Sequence, residues 1–306
     1  MDANNNGERS GEGMHYSEGS MWRPLFETTG NMLQLAMGCT HNACKFCPMY
    51  KNAPFALSSR EEITADIDEF ARFWMNHDRF FLTGGNALGL PYEHLRWALE
   101  LMREKMPDVG NIGCFARVAD VKGKTDDELH ELATLGIDDI AIGAECGYDP
   151  ALAFMGKGHT SADIIEQCAR LDNAGISYSL FYVTGIAGAG KWEENARATL
   201  DVFGQTHPKR IMIHTLTVFP NTPLAHDVET GAFVPETEMN ILREQRLFYA
   251  EYPNEVYVMG GHHSNAARFN ALLPRDREDA LAYLDECMAH ASEESLQKYH
   301  RSIKHM

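Results

Sequence analysis

Three cysteines fall within one short run of this 306-residue chain, Gly38-Cys39-Thr40-His41-Asn42-Ala43-Cys44-Lys45-Phe46-Cys47. As thiolates they suit two metal chemistries. One is a structural zinc held by Cys39, His41, Cys44 and Cys47 in a non-catalytic α/β protein. Such sites usually pair two short hooks far apart in sequence, and this chain offers one loop. The other is a [4Fe–4S] cube. A single loop with three cysteines can hold three of its irons and leave the fourth open to a non-protein ligand. Cys114, Cys146, Cys168 and Cys287 are scattered singly and predict no second cluster. Seven cysteines are too few for a disulfide scaffold at this length.

Other groups carry weaker signals. The run 185–192, Gly-Ile-Ala-Gly-Ala-Gly-Lys-Trp, nearly fits a phosphate-binding loop. Trp192 stands where a hydroxyl must hold Mg²⁺, so nucleotide hydrolysis is not expected. His262 and His263 follow a short apolar run. Adjacent residues of a strand point to opposite faces, so at most one should enter a site, and a surface or hydrogen-bonded role is expected for either. His214 alternates with Met212 and either lines an interior or sits in the core. Arg117 would bind an anion or close a salt bridge. Tyr182 reads as core packing and Cys146 as a buried thiol. Lys45 and Lys51 flank the cysteine loop, as a docking point for an anionic partner or as solvated residues.

Short apolar runs at 32–37, 79–83, 111–117, 139–144, 177–184 and 210–218 alternate with helical periodicity. A helix should start at Ser58 with Glu61 as its capping-box partner, and another after Thr125 with Glu128. Further helices are expected over 91–105, 161–174 and 193–203. Strict strand–helix alternation implies parallel strands with crossover helices, hence a full or partial barrel or an open doubly wound sheet. Strand ends of such a fold share one face, and Cys39 would lie there. From about 235 the pattern changes to a helix (236–250), a short strand (256–259) and a helix (276–291), read as an appended layer. Residues 1–21 are polar and read as a disordered tail.

Lys and Arg number 27 against 44 Asp and Glu, a net charge of −17. That disfavours nucleic acid and anionic membrane surfaces as partners and suits a small molecule. No apolar segment approaches a membrane span, and the polar start shows no signal peptide, so a cytoplasmic protein is expected.

The cysteine loop resembles that of the radical S-adenosylmethionine (SAM) superfamily, with Phe46 as the aromatic residue before the third cysteine. Four residues separate Cys39 from Cys44 where the family usually has three. Thr83-Gly84-Gly85-Asn86 is similar to the family's Gly-Gly-Glu motif, which binds the amino end of SAM; Asn86 replaces the acid. Glu145 matches a glutamate on the SAM ribose, and Lys157, in 155–160, would meet the SAM carboxylate. Gly188, in 185–188, matches a glycine motif against adenine, and 217–224 is similar to the sixth-strand run. The resemblance covers about residues 30–225. It implies a partial (β/α)6 TIM-like barrel at 22–225 with a helical extension at 226–306. It further implies Cys39, Cys44 and Cys47 on a [4Fe–4S] cluster, and reduction by a flavodoxin or ferredoxin. SAM would then be cleaved to a 5′-deoxyadenosyl radical that abstracts hydrogen from a small substrate.

Overall fold

The computed structural model describes residues 15, 22–27, 30–73 and 78–303. Apart from His15, the tail expected at 1–21 lies outside them. The chain opens with β1 (Asn31–Gln34), the short pair β2 (Ala36–Met37) and β3 (Ala56–Leu57), and α1 (Arg60–Phe73). Four units follow: β4 (Arg79–Thr83) with α2 (Tyr92–Lys105), then β5 (Asn111–Arg117) with α3 (Val118–Lys122) and α4 (Asp126–Thr134). Next come β6 (Ile140–Glu145) with α5 (Asp149–Phe154) and α6 (Ser161–Ala174), and β7 (Tyr178–Thr184) with α7 (Trp192–Phe203). The remainder is β8 (Arg210–Thr215), α8 (Pro223–Glu229), α9 (Glu238–Glu251), β9 (Val256–Met259), β10 (Asn270–Leu273), α10 (Arg277–His290) and α11 (Glu293–Arg301).

Eight strands form one sheet in the order β1-β4-β5-β6-β7-β8-β9-β10. All neighbours are parallel except β9 and β10. The sheet is a mostly parallel partial barrel. Its central strands are buried along nearly their whole length, as helices on one face and the barrel interior on the other require. The reading of 256–259 as part of an appended layer is corrected: β9 pairs with β8 in register Arg210↔Tyr257 and continues the sheet.

Local chemistry explains the boundaries. Thr125 and Glu128 form the expected reciprocal cap of α4. Gly175, at φ +75°, ends α6 in the left-handed conformation. The cap of α1 sits one residue later than expected: Glu62 N–H donates to Ser59 Oγ, and Ser59 donates to the Glu62 carboxylate. β8 stops at Thr215, short of 218.

At the N-terminal ends of the strands, Arg79 pairs with Glu27, and Arg210 lies over the Phe26 ring at 4.3 Å. The 22–27 segment therefore crosses the barrel's lower end. Asp139 there binds Lys209 at 2.9 Å and Arg210 at 2.6 Å. Burial alone would raise the Asp139 pKa, but these two cations hold it below the ordinary value.

Candidate active site

The cysteine loop lies between β2 and β3, and backbone contacts set its path. Gly85 N–H donates to Gly38 O at 2.7 Å, and Lys45 N–H to Met155 O at 3.0 Å. Asn86 holds it from below: its Oδ1 accepts from Thr40 N at 3.0 Å and its Nδ2 donates to Thr40 Oγ1 at 2.7 Å. A Cβ at Gly85 would stand 2.5 Å from Cys39 Cβ, so only glycine lets the loop lie this close.

Above the strand ends is a cavity of about 280 Å³. Cys39, Cys44, Cys47, Phe46 and Gly85 form one wall. Arg117 from the end of β5, Glu145 from the end of β6, and Lys157 form another. Lys157 Nζ lies 2.8 Å from Glu145 Oε1, with both side chains buried. A Cβ at Gly143 would meet Glu145 Oε1 at 2.7 Å and Lys157 Nζ at 3.3 Å, so the glycine makes room for this pair. Glu145 adopts φ +70°, which a non-glycine residue takes only when its surroundings enforce it.

Electrostatics differ among the thiols. Burial opposes the Cys44 thiolate, but Lys157 and a hydrogen bond with His41 outweigh it and lower the pKa. Cys47 is pushed up to about 11, chiefly by burial. Burial also opposes the Lys157 ammonium, yet Cys44 and Glu145 hold its pKa above the usual lysine value. His41 additionally bonds Gly156 O through Nε2, at 2.7 Å. Among the described residues, no three His, Cys, Asp or Glu side chains are arranged to hold a single metal ion. A tetrahedral zinc needs its sulfurs about 3.8 Å apart, closer than the corners of a cube demand. The donor set, three free thiols on one cavity wall, fits three corners of a cluster.

Four of the seven positions expected at SAM line this cavity: Phe46, Gly85, Glu145 and Lys157. Gly84 does not line it; its φ of +122° carries the chain past Ala36 O. Asn86 is buried, and its amide is spent on Thr40 and on Asp120, at 3.0 and 3.1 Å. Gly188 packs outside the wall, where a Cβ would meet the Phe233 ring at 3.0 Å.

Both His262 and His263 line the cavity, against the expectation for adjacent histidines. They occupy a turn after β9, where strand alternation does not apply. His214 joins them, its ring stacked on His262 at 4.0 Å and 6°. Burial, then His262 and His263, hold the His214 pKa well below the usual value, and burial with His263 takes His262 to about 4. Met212 lines it beside His214, and Phe115, Phe181, Met259 and the 22–25 segment, unremarked in the sequence, line it too. A signal existed for the strand residues. Phe115 and Arg117, Phe181 and Val183, Met212 and His214 are each two apart and share an inward face.

The remaining candidates have ordinary roles. Tyr182 is buried and donates to Glu244 at 2.7 Å. Cys146 is buried and its thiol pKa raised by burial. Lys45 pairs with Asp227 at 2.8 Å, and Lys51 donates to Asn42 O at 2.9 Å. In the phosphate-loop lookalike, Gly190 N–H donates to the Glu236 carboxylate at 2.7 Å, filling the place an anion would take.

The family model of the radical SAM superfamily matches residues 33–198. The chain belongs to that superfamily, whose members are enzymes that use a [4Fe–4S] cluster and SAM. No curated protein matches it. Among solved structures it is similar to a cobalamin-dependent SAM radical enzyme, OxsB, with TM-score 0.55 and 18% identity over 65% of this chain and 35% of that one. It is also similar to methylornithine synthase (PylB), with TM-score 0.52 and 15% identity over 83% and 68%. Coproporphyrinogen III oxidase (HemN) from Escherichia coli gives TM-score 0.59 and 16% identity over 76% and 54%. The chain thus spans from about a third to two thirds of these proteins' lengths. At such identities the likeness is one of fold.

Proposed function

We propose that Cys39, Cys44 and Cys47 ligate one [4Fe–4S] cluster, and that the chain uses it to cleave SAM reductively and take hydrogen from a small substrate. The observation that carries this reading is the meeting of the three thiols with the buried Glu145–Lys157 pair on one cavity. When bound, cluster and SAM together supply a 5′-deoxyadenosyl radical on one-electron reduction.

The chain's own residues bind, orient and enclose. Lys157 offers a cation to the SAM carboxylate while Glu145, held by it, presents its second oxygen as an acceptor for ribose hydroxyls. Phe46 and Gly85 shape the space next to the thiols. Gly84, Asn86 and Gly188 take supporting parts, with Asn86 bracing the loop through Thr40. Residues 22–225 would carry SAM, and 226–306 would complete the substrate side, since Met259, His262 and His263 line the same cavity. Trp22–Leu25 border it from below. An external reductant such as flavodoxin or ferredoxin would supply the electron. No helix among the described residues is long and apolar enough to cross a membrane. A cytoplasmic setting, with reduced thiols, fits this chemistry.

Anaerobic reconstitution tests the reading. Brown protein with iron and sulfide, and 5′-deoxyadenosine released from SAM under dithionite, are expected. Each of Cys39→Ala, Cys44→Ala and Cys47→Ala should abolish that release. Colourless protein, or alanine variants that keep iron and activity, would refute it.

A further inference from the structure

We propose that the inner half of the cavity is a subsite for a small carboxylic acid with an apolar body, and that the His214 imidazole contacts its carboxylate. The inference rests on the reading of the outer half as the cluster and SAM site, and concerns what lies beneath it. The inner wall is Phe115, Phe181, Met212 and Met259, which suits an apolar body.

Its polar side is led by one imidazole. The His214 ring makes only ring contacts, with His262 at 4.0 Å and with the edge of Phe181 at 5.2 Å. It has no hydrogen-bond partner among the described residues. Arg117, on the same lining, donates from Nη2 to Lys157 O at 2.6 Å and brings its guanidinium charge to the cavity. A guanidinium is always charged and can only donate, so an anionic oxygen is the ligand group that suits it beside the unpaired imidazole. Charge agrees. The lining carries Arg23 and Arg117, while its one carboxylate, Glu145, is already paired with Lys157, in a chain of net charge −17.

The histidine wall is also built rigidly. Ser264 N–H donates to His262 Nδ1 at 3.1 Å, which places the proton of the neutral ring on Nε2. Ser264 Oγ accepts from Thr215 N at 3.1 Å. Asn265, wholly buried, donates to Ile213 O at 2.7 Å and Gly260 O at 2.9 Å, and accepts from Thr215 Oγ1 at 3.0 Å. The loop after β9 is thus riveted to β8, and the stacked imidazoles are held before any ligand arrives.

Titration calorimetry on reconstituted enzyme with saturating SAM tests this, with benzoate as probe and benzylamine as its cationic counterpart. Benzoate should bind at about 1 mM or tighter, and benzylamine should give no saturable heat. His214→Phe keeps a ring against Phe181 and should weaken benzoate about tenfold, while His214→Gln, which restores a donor, should recover most of that loss. Arg117→Gln, on a separate strand, should weaken it about fivefold. Iron and sulfide content should stay at the wild-type level in all three. Benzoate that fails to bind, or binds His214→Phe and Arg117→Gln as it binds wild type, overturns the proposal. Wild-type protein without iron would instead overturn the reading beneath it, and the proposal with it.

Discussion

Replacing Lys157 by Met tests whether the buried ion pair organises the site. The ammonium lies 2.8 Å from Glu145 Oε1, with side-chain exposures of 4% and 10%. Methionine fills a similar volume but leaves the carboxylate without its cation. Breaking a buried pair from one side costs about 3–5 kcal/mol. Glu145 borders a cavity that water can enter, so the lower figure applies, about 3 kcal/mol. For a chain of this size that lowers Tm by roughly 5 °C. Adding Glu145→Gln should recover part of the loss, because the double variant buries no uncompensated charge. A second readout is chemical. Lys157 is the largest influence lowering the Cys44 pKa. In cluster-free protein, Lys157→Met should slow iodoacetamide alkylation of Cys44 near neutral pH, with Cys114 unaffected because it is buried. A Tm within about 1 °C of wild type, or undiminished Cys44 reactivity, would refute the account.

Three further outcomes follow from particular contacts. Gly85→Ala forces a methyl to 2.5 Å from Cys39 Cβ, so reconstituted iron content should fall severely while the fold, judged by circular dichroism, persists. Glu244 is enclosed among Tyr182, Gly185 and Asn195, and burial raises its pKa to about 7 despite three hydrogen bonds. A carboxyl whose pKa rises on folding takes up a proton. Its stabilising share is therefore full below about pH 4.5 and lost as pH rises through 7, on the order of 3 kcal/mol. Glu244→Gln should flatten the Tm–pH profile across that window, and an unchanged slope would sink the assignment. Removing iron from reconstituted protein with a chelator should lower Tm, since the cluster binds only the folded loop.

The parts of the fold legible in the sequence are those with a strong local cause. β4, β5 and β9 match their apolar runs to the residue, and α6 matches its expected span of 161–174. α3 and α5, of five and six residues, are too short to show a 3.6-residue period, and they went unseen. β10 is an exposed-edge strand of four residues whose partner is set by tertiary pairing, not composition.

The site divides along the same line. Cys39, Cys44 and Cys47 are local in sequence, so their convergence needs only one loop. The histidine wall needs β8, β9 and the turn between Gly260 and Asn265 to meet, and no spacing in the chain encodes that. Alternation argued that one of His262 and His263 must point away, which holds only while the backbone stays extended. Once Asn265 ties the turn back to Ile213 O and Gly260 O, both rings fall on one side. Net charge misleads in a related way. It describes a surface dominated by carboxylates, whereas the cavity lining holds three cations and one carboxylate. A small ligand is selected by the second distribution, because low-dielectric walls strengthen nearby charges over distant, screened ones.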